Sequence, residues 1–129
     1  MCNLGKSINV LGGELLTCCK DPLTGFFRDG LCRTTSSDFG EHIVCALIDQ
    51  KFLEFSKLMG NDLITPVPEY DFKGLKQGDK WCLCADRWIE ALKNDCAPLI
   101  VLESTDKKIL KKVDYLTLKR YSIEYKTLN

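Results

Sequence analysis

The chain has 129 residues, the length of a single domain, and can bury a sizeable core without help from disulfides. Lys+Arg and Asp+Glu each number 18, so there is no basic excess of the kind that holds nucleic acid or an anionic membrane. No apolar run approaches the ~18 residues that span a bilayer, and the first residues lack the apolar stretch of a signal peptide. The expectation is a cytoplasmic protein partnered by neither nucleic acid nor membrane.

In chain order, residues 7–11 alternate, with Ile8 and Val10 on one face, and predict a short strand ended by Gly12-Gly13. From Asp21 to Gly40 the turn chemistry is dense (Asp21-Pro22, Thr24-Gly25, Asp29-Gly30, Ser36-Ser37-Asp38). Phe26, Phe27 and Leu31 give this long loop something to bury, so it is expected to be ordered with an anchored centre. Residues 43–48 are continuously apolar, as a central strand would be. Asp49 then caps a helix to about Met59 with Phe52, Leu53, Phe55, Leu58 and Met59 as its apolar stripe, and Gly60 follows at the C′ position.

Thr65-Pro66-Val67-Pro68 reads as an extended surface segment, and Gly74 and Gly78 bracket a turn into a buried strand at Lys80. Asp86 is the expected N-cap of a helix to about Asn94, with Trp88, Ile89 and Leu92 inward. Cys96-Ala97-Pro98 breaks it, residues 99–102 form a further strand, and Ser104 or Thr105 caps a helix carrying Ile109, Leu110 and Val113. Residues 115–121 favour a short helix. The basic residues nearby (Lys107, Lys108, Lys111, Lys112, Lys119, Arg120) read as a solvated helix face. The order of elements predicts an α+β or small α/β fold, a short sheet with helices packed on it. It forms one domain, with residues 1–6 and 123–129 as flexible ends.

Eight cysteines (2, 18, 19, 32, 45, 82, 84 and 96) are the anomaly of the composition. With no export signal, reduced thiols are the default, and metal binding or catalysis is the alternative to plain packing. Cys82 and Cys84 flank Leu83 in the strand, on one face and about 6.5–7 Å apart, near or beyond the reach of a disulfide. They should not bond to each other but could face a third group. Cys-x-Cys is a weaker metal signal than Cys-x-x-Cys, and two small side chains packed beneath a helix is the simpler reading. The side chains of Cys18 and Cys19 diverge in extended chain, so one of them at most points to a given site. Gathering loop cysteines (Cys18, Cys19, Cys32) with Cys45 and Cys82 or Cys84 would make a thiolate cluster, with zinc as its candidate ion.

His42 is the only histidine, three residues before Cys45. A Cys–His pair can make a thiolate nucleophile, but positions three apart in a strand face opposite sides. Asp62, in Gly60-Asn61-Asp62-Leu63, either bonds to its own turn or lines a pocket near the thiols. Cys82, Cys84, His42 and Asp62 are therefore the catalytic candidates. Gly12-Gly13 lacks the spacing of a phosphate loop, and there is no Gly-x-Ser-x-Gly.

Several stretches together resemble the bacterial family catalogued as domain of unknown function 2237. They are Asn9-Val10-Leu11-Gly12, Cys18-Cys19 with Asp21-Pro22, Thr24 to Gly30, and His42 to Ala46. Gly60-Asn61-Asp62-Leu63 with Thr65-Pro66, Gly74 to Asp79, Trp81 to Ala85 with Arg87-Trp88, and Ala97-Pro98 complete the set. The likeness runs from about residue 7 to 122 and implies a cytosolic single domain with no established activity. Two positions depart from the family pattern: a frequent paired cysteine in the loop is here Leu31-Cys32, and the usual histidine after the last strand is here Asp106. Two functions follow from these readings: a small domain with a buried cysteine cluster, structural or metal-binding, and a thiol-dependent enzyme or redox protein using Cys82 or Cys84 with a loop cysteine.

Overall fold

The central strand is the apolar run after His42. In the computed structural model, which describes residues 7–128, β1 (His42–Leu47) lies between β2 (Lys80–Cys84) and β3 (Leu99–Ile100) in one antiparallel sheet. Ile43, Val44, Cys45 and Ala46 are at most 1% exposed, as a strand covered on both faces must be. Val44, Ala46, Trp81 and Leu83 occupy one face of the β1–β2 pair, and Cys45 and Cys82 the other.

Four helices are described: α1 (Gln50–Leu58), α2 (Ala85–Lys93), α3 (Tyr115–Arg120) and α4 (Ile123–Leu128). The main core joins Val44 and Leu83 of the sheet to Phe52 and Leu53 of α1, Trp88 and Ala91 of α2, and Leu118 of α3. Trp88 meets Tyr121 edge-on at 5.7 Å, and its indole N–H donates to the Pro98 carbonyl at 3.1 Å, so its one polar group is satisfied at full burial. This is an α+β fold in a small single domain.

Local chemistry sets the boundaries. The Phe52 N–H donates to Asp49 Oδ1 at 2.7 Å, the expected cap of α1, and Gly60 takes the left-handed backbone at φ +91° after its end. Leu58 and Met59 do not join the α1 stripe: Leu58 is 79% exposed, and Ser56 is buried instead, donating to the Asn61 carbonyl.

Other expectations are corrected. Residues 7–11 form bridges and a turn rather than a strand. Asn9 Oδ1 accepts the N–H groups of Leu11 and Gly13, which curls the segment on itself. Asp86 is not the cap of α2. Cys84 occupies that position, and Asp86 lies in the first turn. The strand at residue 99 lasts two residues, and the helix after it is a 3-10 turn, Lys107–Lys111, capped by Asp106, with Leu110 outward.

The long loop is irregular and ordered, but its aromatics do not anchor it. Phe26 and Phe27 are about 40% exposed and pack edge-on against each other, with Arg33 over the Phe27 ring. Fully buried Thr24 and Cys32 hold the loop down. At the other end of the chain, α4 is tied to the 3-10 turn Leu102–Ser104, because Glu124 accepts the N–H groups of Leu102 and Glu103. Residues 1–6 lie outside the described residues.

Candidate functional site

Two constellations of chemistry-bearing side chains emerge, one on each side of Leu83 in β2. The first is buried. Cys45 and Cys82 are directly opposed in the β1–β2 ladder, on the sheet face away from the main core. The loop crosses that face and brings Cys18 and Cys32 against them. The sulfurs join as Cys18–Cys45 and Cys32–Cys82, with Cα separations of 5.7 and 5.1 Å, well inside the disulfide range. At these four positions the structure holds disulfides, where the sequence alone favours thiols.

Hydroxyl groups fix the cluster. The Cys82 N–H donates to Thr24 Oγ1 at 2.8 Å, and the Cys45 N–H donates to Thr105 Oγ1 at 3.1 Å. The Thr105 hydroxyl donates onward to the Val101 carbonyl. In the loop, Gly30 accepts the Cys18 N–H and donates to the Thr24 carbonyl, so Thr24 organises both the loop and the strand it touches. Gly25 is required here: at φ +101° a Cβ would overlap the Leu31 carbonyl oxygen.

The sulfurs of Cys18, Cys32 and Cys82 lie within 4.8 Å of one another, a grouping that could hold a metal ion. Cys19, the neighbour of Cys18, packs beside the cluster with a free thiol, and Cys84 and Cys96 are also free. Of the six metal candidates, four are brought together, while Cys19 and Cys84 are not members.

The second constellation is at the surface. A strict ladder beyond Val44–Leu83 would pair Ile43 with Cys84. A bulge in β1 pairs His42 with Cys84 instead, which is how a bulge re-aims a side chain. His42 Nδ1 lies 2.7 Å from Asp38 Oδ1, and Asp38 Oδ2 accepts the His42 N–H and the Thr34 hydroxyl. The Asp38 side chain is 1% exposed and that of His42 is 41% exposed. Burial pushes the Asp38 carboxyl up, but the hydrogen bonds from the His42 N–H, the imidazole and Thr34 outweigh it and hold the group below the usual carboxylate value. An ionised carboxylate only accepts, so Nδ1 carries the ring proton and Nε2 of the neutral ring keeps its lone pair.

Gly40 opens the space between thiol and imidazole. A Cβ at this position would lie 2.9 Å from His42 Cε1 and 3.5 Å from Cys84 Sγ, so both groups border one gap. Cys84 caps α2, and Lys112 bridges Glu41 and Asp86 across the same edge at 3.2 and 3.0 Å.

Asp62 stays with its own turn. Its carboxylate accepts from Ile64 N, Thr65 N and the Thr65 hydroxyl, and those bonds, the Thr65 hydroxyl foremost, bring it down to about 2. Nor does His42 meet Cys45. Sequence reasoning missed Asp38; the signal was an acid four residues before the only histidine, at the end of a Ser-Ser turn. A cleft of about 670 Å³ beside Leu92, Arg120 and Tyr121 holds none of these groups.

The family model described as an uncharacterized protein conserved in bacteria matches residues 8–122. The chain belongs to this family, domain of unknown function 2237. Among curated proteins, none matches it. No helix among the described residues is long and apolar enough to cross a membrane.

Proposed function

We propose that this is a thiol-centred accessory domain of the cytosol, whose four buried cysteines alternate between two disulfides and a zinc tetrathiolate. The supporting observation is the mutual approach of the Cys18, Cys32 and Cys82 sulfurs within 4.8 Å, with Cys45 bonded to one of them. Thiolates around one zinc ion sit about 3.8 Å apart, given a Zn–S bond of about 2.3 Å in a tetrahedron. Gathering the four sulfurs on one ion therefore asks for small side-chain movements and no new chain path. An all-sulfur donor set selects a soft ion such as zinc over magnesium or calcium.

The chemistry balances through an external dithiol. Two equivalents deliver four electrons and four protons, become disulfides themselves, and leave four cysteine thiols. Zinc binding then displaces thiol protons to solvent, and its affinity contributes to folding in place of the lost crosslinks. In the reducing cytosol that the sequence favours, the thiol form is the resident one.

Native mass spectrometry of the full chain tests this, with and without reductant and with zinc supplied in both cases. The expected result is one zinc per reduced chain and none on the oxidised chain, with cobalt giving the intense charge-transfer absorption of a tetrathiolate. A reduced chain that takes up no zinc, or an oxidised chain that holds it equally well, would overturn the reading.

A further inference from the structure

We propose that Cys84, His42 and Asp38 form a nucleophilic acyl-transfer site at the edge of the sheet, separate from the disulfide cluster. Three features converge there. The bulge in β1 sets His42 opposite Cys84. The buried Asp38 carboxylate binds Nδ1 at 2.7 Å, which leaves Nε2 as the ring's proton acceptor. Gly40 leaves open the gap that the sulfur and the imidazole share. A nucleophile, a base and a group that orients the base is the arrangement by which a weak nucleophile is activated.

The position of Cys84 adds an electrophilic element. It precedes the first turn of α2, a nine-residue helix, and the amides of Asp86 and Arg87 in that turn have no partner within the helix. Amides at a helix start stabilise negative charge developing on an oxygen bound near them. The substrate class is an ester or thioester, whose carbonyl carbon a thiolate can attack.

The steps balance as follows. The Cys84 thiol gives its proton to His42 Nε2, and the sulfur bonds to the carbonyl carbon. The bond to the leaving alcohol or thiol breaks, and that group departs with the imidazolium proton. Water, losing a proton to Nε2, then attacks the acyl–sulfur bond, releases the carboxylic acid and returns the thiol. Asp38 is a positioning residue, since it acts only through the imidazole.

The test is acylation by p-nitrophenyl acetate, read cysteine by cysteine with peptide mass spectrometry. Cys19 and Cys96 are also free and partly exposed, so they serve as references within the same molecule. The expected result is acylation of Cys84 at least about tenfold faster than either reference, because a positioned base contributes about 10²-fold or more. His42→Ala should bring Cys84 to the reference rate, and added imidazole should restore it, which loss of structure alone would not allow. Gly40→Ala should slow Cys84 by crowding the ring, and Asp38→Asn should slow it and alter its pH–rate profile, with Cys96 unchanged in both. Cys84 reacting no faster than Cys96, or His42→Ala leaving its rate intact, would overturn the proposal.

Discussion

Cys45 and Cys82 face each other across β1 and β2, yet each is bonded to a cysteine of the loop rather than to the other. Two crosslinks therefore fasten one loop to both strands, spanning 27 and 50 residues of sequence. Loop-closure entropy puts each at about 3.5–4 kcal/mol of stability in the oxidised chain. Cys32→Ser should lower the free energy of unfolding by that amount without reductant, read from the denaturation midpoint and its slope. In reduced, zinc-free protein the same substitution should cost far less. An equal loss in both states would mean that Cys32 contributes by packing.

Thr24 and Thr105 each accept the backbone N–H of a bonded cysteine at full burial. Thr24→Val keeps the shape and removes the acceptor, leaving the Cys82 N–H buried and unpaired at a cost of about 1–3 kcal/mol. Thr24→Ser keeps the hydroxyl and should cost less. Urea unfolding of the two variants checks this, and equal losses would place the role of Thr24 in its methyl group.

Acid should loosen the Asp38–His42 turn. Asp38 titrates below its ordinary value in the folded chain, and Asp62 does so at about 2. A carboxyl depressed on folding contributes stability that is full above its unfolded value, about 3.9, and is lost as pH falls through the folded value. The midpoint of thermal unfolding should thus hold down to about pH 4 and fall below it. Asp38→Asn should flatten part of that fall. A variant with the same acid limb as the native chain would show that Asp38 carries none of it.

Asp106 is divided between two roles. One carboxylate oxygen accepts the Lys108 N–H and caps the 3-10 turn, while the other, Oδ2, is buried without a hydrogen-bond partner. Asp106→Asn keeps the capping oxygen and removes the unpaired charge, so its stability should equal or exceed that of the native chain. Asp106→Ala loses the cap and should cost about 1 kcal/mol. Calorimetry of the pair decides it, and an Asn variant less stable than the Ala variant would contradict this account.

Much of the fold was legible along the chain. The unbroken apolar run after His42 suits a central strand, and Asp49 and Gly60 mark α1 because capping is a contact between near neighbours. The spacing of Cys82 and Cys84 correctly ruled out a bond between them, and the divergence of Cys18 and Cys19 left one of the pair for the cluster. Phe26 and Phe27 misled, since burial depends on what the loop crosses rather than on how apolar its residues are.

The α+β or small α/β class, the family, the central strand and the set of thiols available for chemistry can all be read along the chain. Strand periodicity, caps and turn residues act over a few positions, so they can be read locally. The partners emerge only once the chain is folded: Cys18 with Cys45, Cys32 with Cys82, and His42 with Cys84 in place of Cys45. Those pairings depend on the path of the loop and on one bulge that shifts the register of β1 by a residue. A shift of that size exchanges the faces of a strand, and no short-range pattern in the chain records it.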